Sequence, residues 1–244
     1  MMLPPYYEFA FPVKIISGHT ALNNLPVELR LANVERPLII TDPGVARAGL
    51  ITVVLDAFAE SGITIGALYD QVPPESSTLV VNELAGLYRE KACDCLIAVG
   101  GGSVIDTAKG INILVSQGGD DVRHYRGAEV LPGPLRPMFV APTTSGTGSE
   151  ATNSAVIADP ETGVKMLFVS ENLIPRAAIL DTRMTLTLPP KLTAATGMDA
   201  LTHAMEACLS IQKNPVSDAF AQQAIRLIGA NLRAVTANPQ EKNG

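Results

Sequence analysis

The sequence predicts an α/β protein: a Rossmann-like, mainly parallel sheet domain over residues 1–187, followed by the start of an all-helical domain over residues 188–244. Three observations predict it. From Phe11 to Asp181, short runs rich in Val, Ile and Leu alternate with segments whose apolar residues fall three and four apart. Such strand–helix alternation builds a parallel sheet covered by helices. Beyond Leu188 the strand pattern stops and two helical patterns follow. At 47% apolar and 17% charged residues, the 244-residue chain has a globular composition.

The elements follow in order. PVKII, PLIITD, ITIGALYD, CLIAVG, PMFVAP and AAILD read as strands, with VVLDAFAESG and VVNELAGLYREKA among the amphipathic helices between them. In SAVIADPETGVKMLFVS two runs flank the turn formers Asp159-Pro160-Glu161-Thr162-Gly163, which predicts a hairpin. KLTAATGMDALTHAMEACLSIQ and NPVSDAFAQQAIRLIGANLRAV are the two helices of the second domain. Two helices bury too little surface to enclose a core. Their apolar faces (Leu201, Met205 and Cys208; Phe220, Ile225, Leu227 and Ile228) are therefore expected to stay uncovered and to favour association.

Composition also excludes classes. A net charge of −6 argues against nucleic-acid binding, which needs a basic footprint. No apolar run approaches the ~20 residues of a membrane span. The opening MMLPPYYEFAF lacks the basic and apolar regions of a signal peptide, so a cytoplasmic location is expected. Cys93 and Cys95, two apart on the CLIAVG strand, should share a face as small buried hydrophobes, since no second pair exists to complete a metal site.

Three stretches carry chemistry. In CLIAVGGGSVIDTAKG a strand runs into Gly100, Gly101 and Gly102 and a helix opens at Ser103. Glycines let backbone approach a ligand, and the free N–H groups of a helix start favour phosphate. Ser103 as N-cap with Asp106 three residues on also reads as an Asp variant of the capping box, and Asp106 is counted with the phosphate loop. The pattern is not GxGxxG. PMFVAPTTSGTGSE likewise follows a strand and offers Thr143, Thr144, Ser145, Thr147 and Ser149 to a diphosphate or a carboxamide. Asp42, ending PLIITD, suits adenosine ribose hydroxyls and would repel a 2′-phosphate, favouring NAD over NADP. A carboxylate before Pro43-Gly44 equally suits a turn or N-cap. In TGMDALTHAMEA a helix places Asp199 and His203 on one face, four apart, where they could hold a divalent metal.

GGGSVIDTAKG, APTTSGTGSE and TGMDALTHAMEA, in this order, closely resemble the iron-containing (group III) alcohol dehydrogenases, and FPVKIISGHTAL is similar to that family's first strand and turn. The resemblance runs over essentially the whole chain. It implies a dehydroquinate synthase-like fold with the active site in a cleft between an α/β and a helical domain. It implies NAD, with Asp42 on the ribose, Gly100, Gly101, Gly102 and Ser103 at the pyrophosphate, and Thr143, Thr144 and Thr147 on the nicotinamide side. Lys165 matches a lysine beside the cofactor, against the plain reading of an exposed strand lysine; Leu180 matches a backbone contact. Asp199 and His203 match two of four ligands of Fe(II), or of Zn(II) in its place, and the other two histidines would fall past Gly244. His19 and His124 lie in unrelated contexts. Where the family often reads Pro-Asn-Pro-Thr, this chain has Pro74-Glu75-Ser76-Ser77, so that Asn contact does not carry over. The implied activity is hydride transfer between a small alcohol or aldehyde and nicotinamide, in a homodimer or larger oligomer. The 244 residues alone are expected to be weakly active or inactive. The alternatives are a sibling glycerol or polyol dehydrogenase and, from another class, a non-catalytic nucleotide-binding fragment.

Overall fold

The structure, a computed structural model, describes residues 6–238. In chain order the elements are β1 (Lys14–Gly18), α1 (Leu25–Leu31), β2 (Pro37–Thr41), α2 (Pro43–Arg47), α3 (Leu50–Asp56), β3 (Ala67–Tyr69), α4 (Thr78–Glu90), β4 (Cys95–Gly100), α5 (Gly102–Gln117), β5 (Gly127–Ala128), β6 (Met138–Pro142), β7 (Ser154–Asp159), β8 (Val164–Val169), β9 (Ala177–Asp181), α6 (Pro190–Leu209) and α7 (Pro215–Ala237). They form two compact units. One holds Val13–Thr143 and Ser149–Met184; the other holds residues 185–238 together with residues 6–12 and Thr144–Gly148.

The first unit is built on a six-stranded sheet ordered β1-β9-β6-β4-β2-β3, in which every neighbouring pair is parallel. β2, β4 and β6 are buried along their whole length, as strands covered on both faces are. Alternation sorts their side chains. Leu38, Ile40, Leu96 and Ala98 join the core beneath α4 and α5, whereas Ile39, Cys95, Ile97 and Val99 join the core beneath α1 and α3. The hairpin is present as β7 and β8, antiparallel and closed by Gly163 at φ +71°, with β5 extending it to three strands.

Three local expectations need correction. Cys93 and Cys95 do not share a face: Ala92 takes a positive φ of 49° as α4 ends, Cys93 stays in that turn, and the two thiols enter opposite cores. The helix expected over VVLDAFAESG lies earlier, at Leu50–Asp56. Only Ala67–Tyr69 of ITIGALYD is strand. At Gly66 a Cβ would stand 2.6 Å from Cys93 Sγ and 2.9 Å from Arg36 Cγ, so the chain passes there without a side chain.

In the second unit α6 and α7 pack together closely. A Cβ at Gly197 would collide with Leu232. α7 starts on a capping box, with Asn214 Oδ1 accepting from Val216 and Ser217 N–H and Pro215 at the first position. The buried residues of these helices are few: Gly197 and Ala204 on α6, Ala221 on α7. Met205, Phe220 and Leu227, expected to be uncovered, are exposed, while Leu201, Cys208, Ile225 and Ile228 are half-buried. Phe9 and Phe11 stack on Phe220 at 5.9 and 6.1 Å between ring centroids. No described helix is long and apolar enough to cross a membrane.

Candidate functional site

The sheet order itself locates a crevice. β2 connects onward to β3 on one side, while β4 connects to β6 on the other, and β2 and β4 are neighbours. A reversal of this kind leaves an opening beyond the carboxyl ends of the two strands, where open α/β sheets bind ligands. Asp42 follows the last residue of β2, and Gly100 ends β4, paired with Pro142, with Gly101 and Gly102 directly after it; Thr41 pairs with Val99 and donates its hydroxyl to Val99 O at 2.6 Å. Fold and motif therefore converge on one place.

Asp42 caps α2, its Oδ1 accepting from Gly44 N at 2.7 Å and Val45 N at 3.0 Å. The turn-or-cap reading is thus realised, with one carboxylate oxygen occupied. The start of α5 is the reverse case. The capping box expected from Ser103 and Asp106 is absent: the helix opens at Gly102, and Gly101, which has no side chain to accept from the first turn, is the N-cap. The first-turn N–H groups of a 16-residue helix are left for another acceptor, which is what a phosphate needs. Gly100 is required for packing as well, because a Cβ there would meet Val104 Cγ2 at 2.6 Å.

Asp106 points into the protein instead of toward a cap. Oδ1 accepts from Ser149 Oγ and Oδ2 from Val156 N, each at 3.0 Å. Burial raises its pKa, against the lowering effect of the Val156 N–H, Lys109 and Ser149. Sequence reasoning missed Lys109, one helical turn on. Its fully buried ammonium donates to Ser154 O at 2.7 Å, Thr152 O at 2.8 Å and Thr152 Oγ1 at 3.1 Å. Burial lowers its pKa to about 8, opposed by Asp106 and Glu150, and Glu150 is itself raised by burial. A lysine on the i, i+3 face of Asp106 was visible in the sequence, but not that the face turns inward.

Beside β4, Thr143 is buried and donates its N–H to Gly100 O at 3.2 Å. Thr144 and Thr147 belong to the helical unit, where the loop packs on α6: a Cβ at Gly146 would lie 2.9 Å from Thr196 Cβ. Leu180 lies one residue from the carboxyl end of β9, paired with Ser17. Lys165 is exposed on β8 and forms an ion pair with Glu75 at 2.6 Å, so Glu75 sets the surroundings of that lysine.

α6 carries Asp199 and His203 as a helical i, i+4 pair, Oδ1 to Nε2 3.7 Å, with side chains 45% and 52% exposed. A cation bonded to both donors at about 2.1 Å spans such a gap. The pair therefore fits two positions of a coordination sphere. No group of three or more His, Cys, Asp or Glu suited to a metal exists among the described residues. His19 instead pairs through Nδ1 with Thr182 Oγ1 at 2.9 Å, and His124 lies in a 3-10 turn.

Fold and motifs together define an α/β unit with a glycine-led helix start at a reversal of strand order, followed in the chain by a helical unit that carries the Asp199–His203 pair. The family model for iron-containing alcohol dehydrogenase matches residues 12–182, and that for the Fe-containing alcohol dehydrogenase family, C-terminal, matches residues 193–243. The chain belongs to the iron-containing alcohol dehydrogenase family. It is 39% identical over 233 residues to 1,3-propanediol dehydrogenase of Klebsiella pneumoniae, covering 95% of this chain and 60% of that protein. It resembles the crystal structure of a 1,3-propanediol oxidoreductase with a TM-score of 0.93 and 38% identity, over 97% of this chain and 61% of the other. Sulfoacetaldehyde reductase from Bifidobacterium kashiwanohense, solved in complex with NAD+, gives a TM-score of 0.90 at 27% identity, over 98% of this chain and 63% of that one. The chain thus spans about three-fifths of the length of these relatives.

Proposed function

We propose that these residues supply the cofactor site and two metal ligands of an NAD-linked, metal-dependent alcohol dehydrogenase that moves hydride between a small alcohol or aldehyde and nicotinamide. One observation carries the reading: Asp42 and the uncapped, glycine-led start of α5 meet at the reversal of strand order between β2 and β4. The first-turn N–H groups of α5, with Ser103, take the diphosphate. Asp42 takes the adenosine ribose while continuing to cap α2. Thr143, Thr144 and Thr147, Lys165 and the backbone at Leu180 orient the nicotinamide. Asp106, with both oxygens engaged inside the protein, acts on the cofactor only through what it holds.

Asp199 and His203 hold the metal, Fe(II) or Zn(II). When bound, that ion stabilises an alkoxide or polarises a carbonyl. The chain's own share is alignment: fixing the nicotinamide so that the reacting carbons meet and water is kept away. Two donors hold a metal weakly, so the 244-residue chain by itself should show little turnover. The half-exposed, two-donor centre also favours a second reading, in which nucleotide binding is the chain's own activity.

The test is a fluorescence titration with NADH and NADPH. NADH should bind preferentially, and Asp42→Ala should weaken NADH by about tenfold while narrowing the preference. Equal binding of both coenzymes by the unaltered chain would remove the ribose role. Metal analysis after loading with Fe(II) or Zn(II) should give well under one ion per chain, and His203→Ala should abolish it. NADH binding with no alcohol oxidation under saturating metal selects the second reading.

A further inference from the structure

Lys109 sits two turns inside the helix whose start is assigned to the diphosphate, fully buried, with its three ammonium hydrogens matched to three acceptors. An ammonium removed from water is costly unless its hydrogen bonds are complete. An apolar side chain would fill the space without that cost, so the charge is explained by what it binds. Its acceptors belong to one stretch, Thr152 to Ser154, between the short 3-10 turn Ser149–Ala151 and the start of β7. Asp106, on the same face of α5, holds the residues on either side of that stretch, accepting from Ser149 Oγ and Val156 N. At the other end of the hydroxyl-rich loop 143–149, Thr143 N–H is tied to Gly100 O. Both ends of the loop are thereby fixed to the strand and helix that flank the glycines.

We infer that Lys109 is a positioning residue for the cofactor: with Asp106 it fixes the segment from Ser149 to Val156, at the exit of loop 143–149, against α5, and nicotinamide binding depends on that anchorage. The inference rests on the cofactor reading above and adds a division of labour. Asp42 and the α5 start recognise the adenosine diphosphate portion without Lys109. The loop places nicotinamide only while Lys109 holds its exit.

The experiment compares NADH with ADP-ribose, the same molecule without its nicotinamide, by calorimetry on the unaltered chain, Lys109→Met and Thr152→Val. Lys109→Met should raise the NADH Kd by about tenfold or more and leave the ADP-ribose Kd within about twofold. Thr152→Val, which removes one acceptor of the three, should move NADH the same way by about threefold. A purely structural lysine would weaken both ligands in parallel or neither, and either result overturns the inference while leaving the cofactor reading intact. If Lys109→Met shows no cooperative melt, the NADH-against-ADP-ribose split in Thr152→Val decides alone. An unaltered chain that binds neither ligand overturns the cofactor reading and this inference together.

Discussion

Asp42 and Lys109 show how one side chain serves fold and ligand together. Asp42 spends one oxygen capping α2, a contribution of about 1 kcal/mol, so its removal costs stability as well as ribose recognition. Lys109 carries a measurable linkage. Its ordinary pKa of 10.5 is lowered by burial to about 8 in the folded chain. Between those two values the unfolded chain still holds the proton and the folded chain has released it. Stability from this group therefore rises with pH across that window and is at its minimum below pH 8. Denaturant unfolding at pH 7 and pH 10 should show the unaltered chain gaining on Lys109→Met by roughly 3 kcal/mol. A gap between the two proteins that stays constant with pH would mean that the amine is neutral, or wet, throughout.

α5 is the element on which the first unit depends. It opens on glycine, carries Asp106 and Lys109 on one inward face, and packs on α4 and β7 at Gly110. A Cβ at Gly110 would lie 2.7 Å from Ile157 Cδ1 and 2.9 and 3.0 Å from the two Val81 methyls. The Ile157 terminus can swing aside, but Val81 is β-branched and stiff in α4. Gly110→Ala gains up to about 1 kcal/mol of helix propensity and loses about 1–3 kcal/mol to overpacking. The net result should be destabilisation, read as a lower urea midpoint with unchanged m-value. A midpoint that rises would show that the helices separate without cost. Most elements, α4, β4 and α6 among them, were legible because their apolar pattern is sustained; Gly100 also marks the end of β4 and Pro190 the start of α6. The helix start at Gly102 was not, because Ser103 has the chemistry of an N-cap and only the backbone shows that Gly101 fills that position.

At the scale of the whole chain, Met205 and Leu209 on α6, Ile211 in the turn after it and Phe220 on α7 are exposed. The 244-residue chain should therefore self-associate or bind a hydrophobic dye in light-scattering and fluorescence assays; a clean monomer without dye binding would contradict it. The sequence by itself determined the strand–helix alternation, the two loops after β4 and β6, and the Asp199–His203 pair, because each rests on neighbours within a few residues, where spacing dictates geometry. Only the tertiary structure decided that β2 and β4 lie side by side, bringing Asp42 to the glycines. It alone turned Asp106 and Lys109 inward, and gathered residues 6–12 and Thr144–Gly148 with the helical unit. Those outcomes depend on which distant strand pairs with which and which helix face is covered, and burial, unlike periodicity, is set by the rest of the chain.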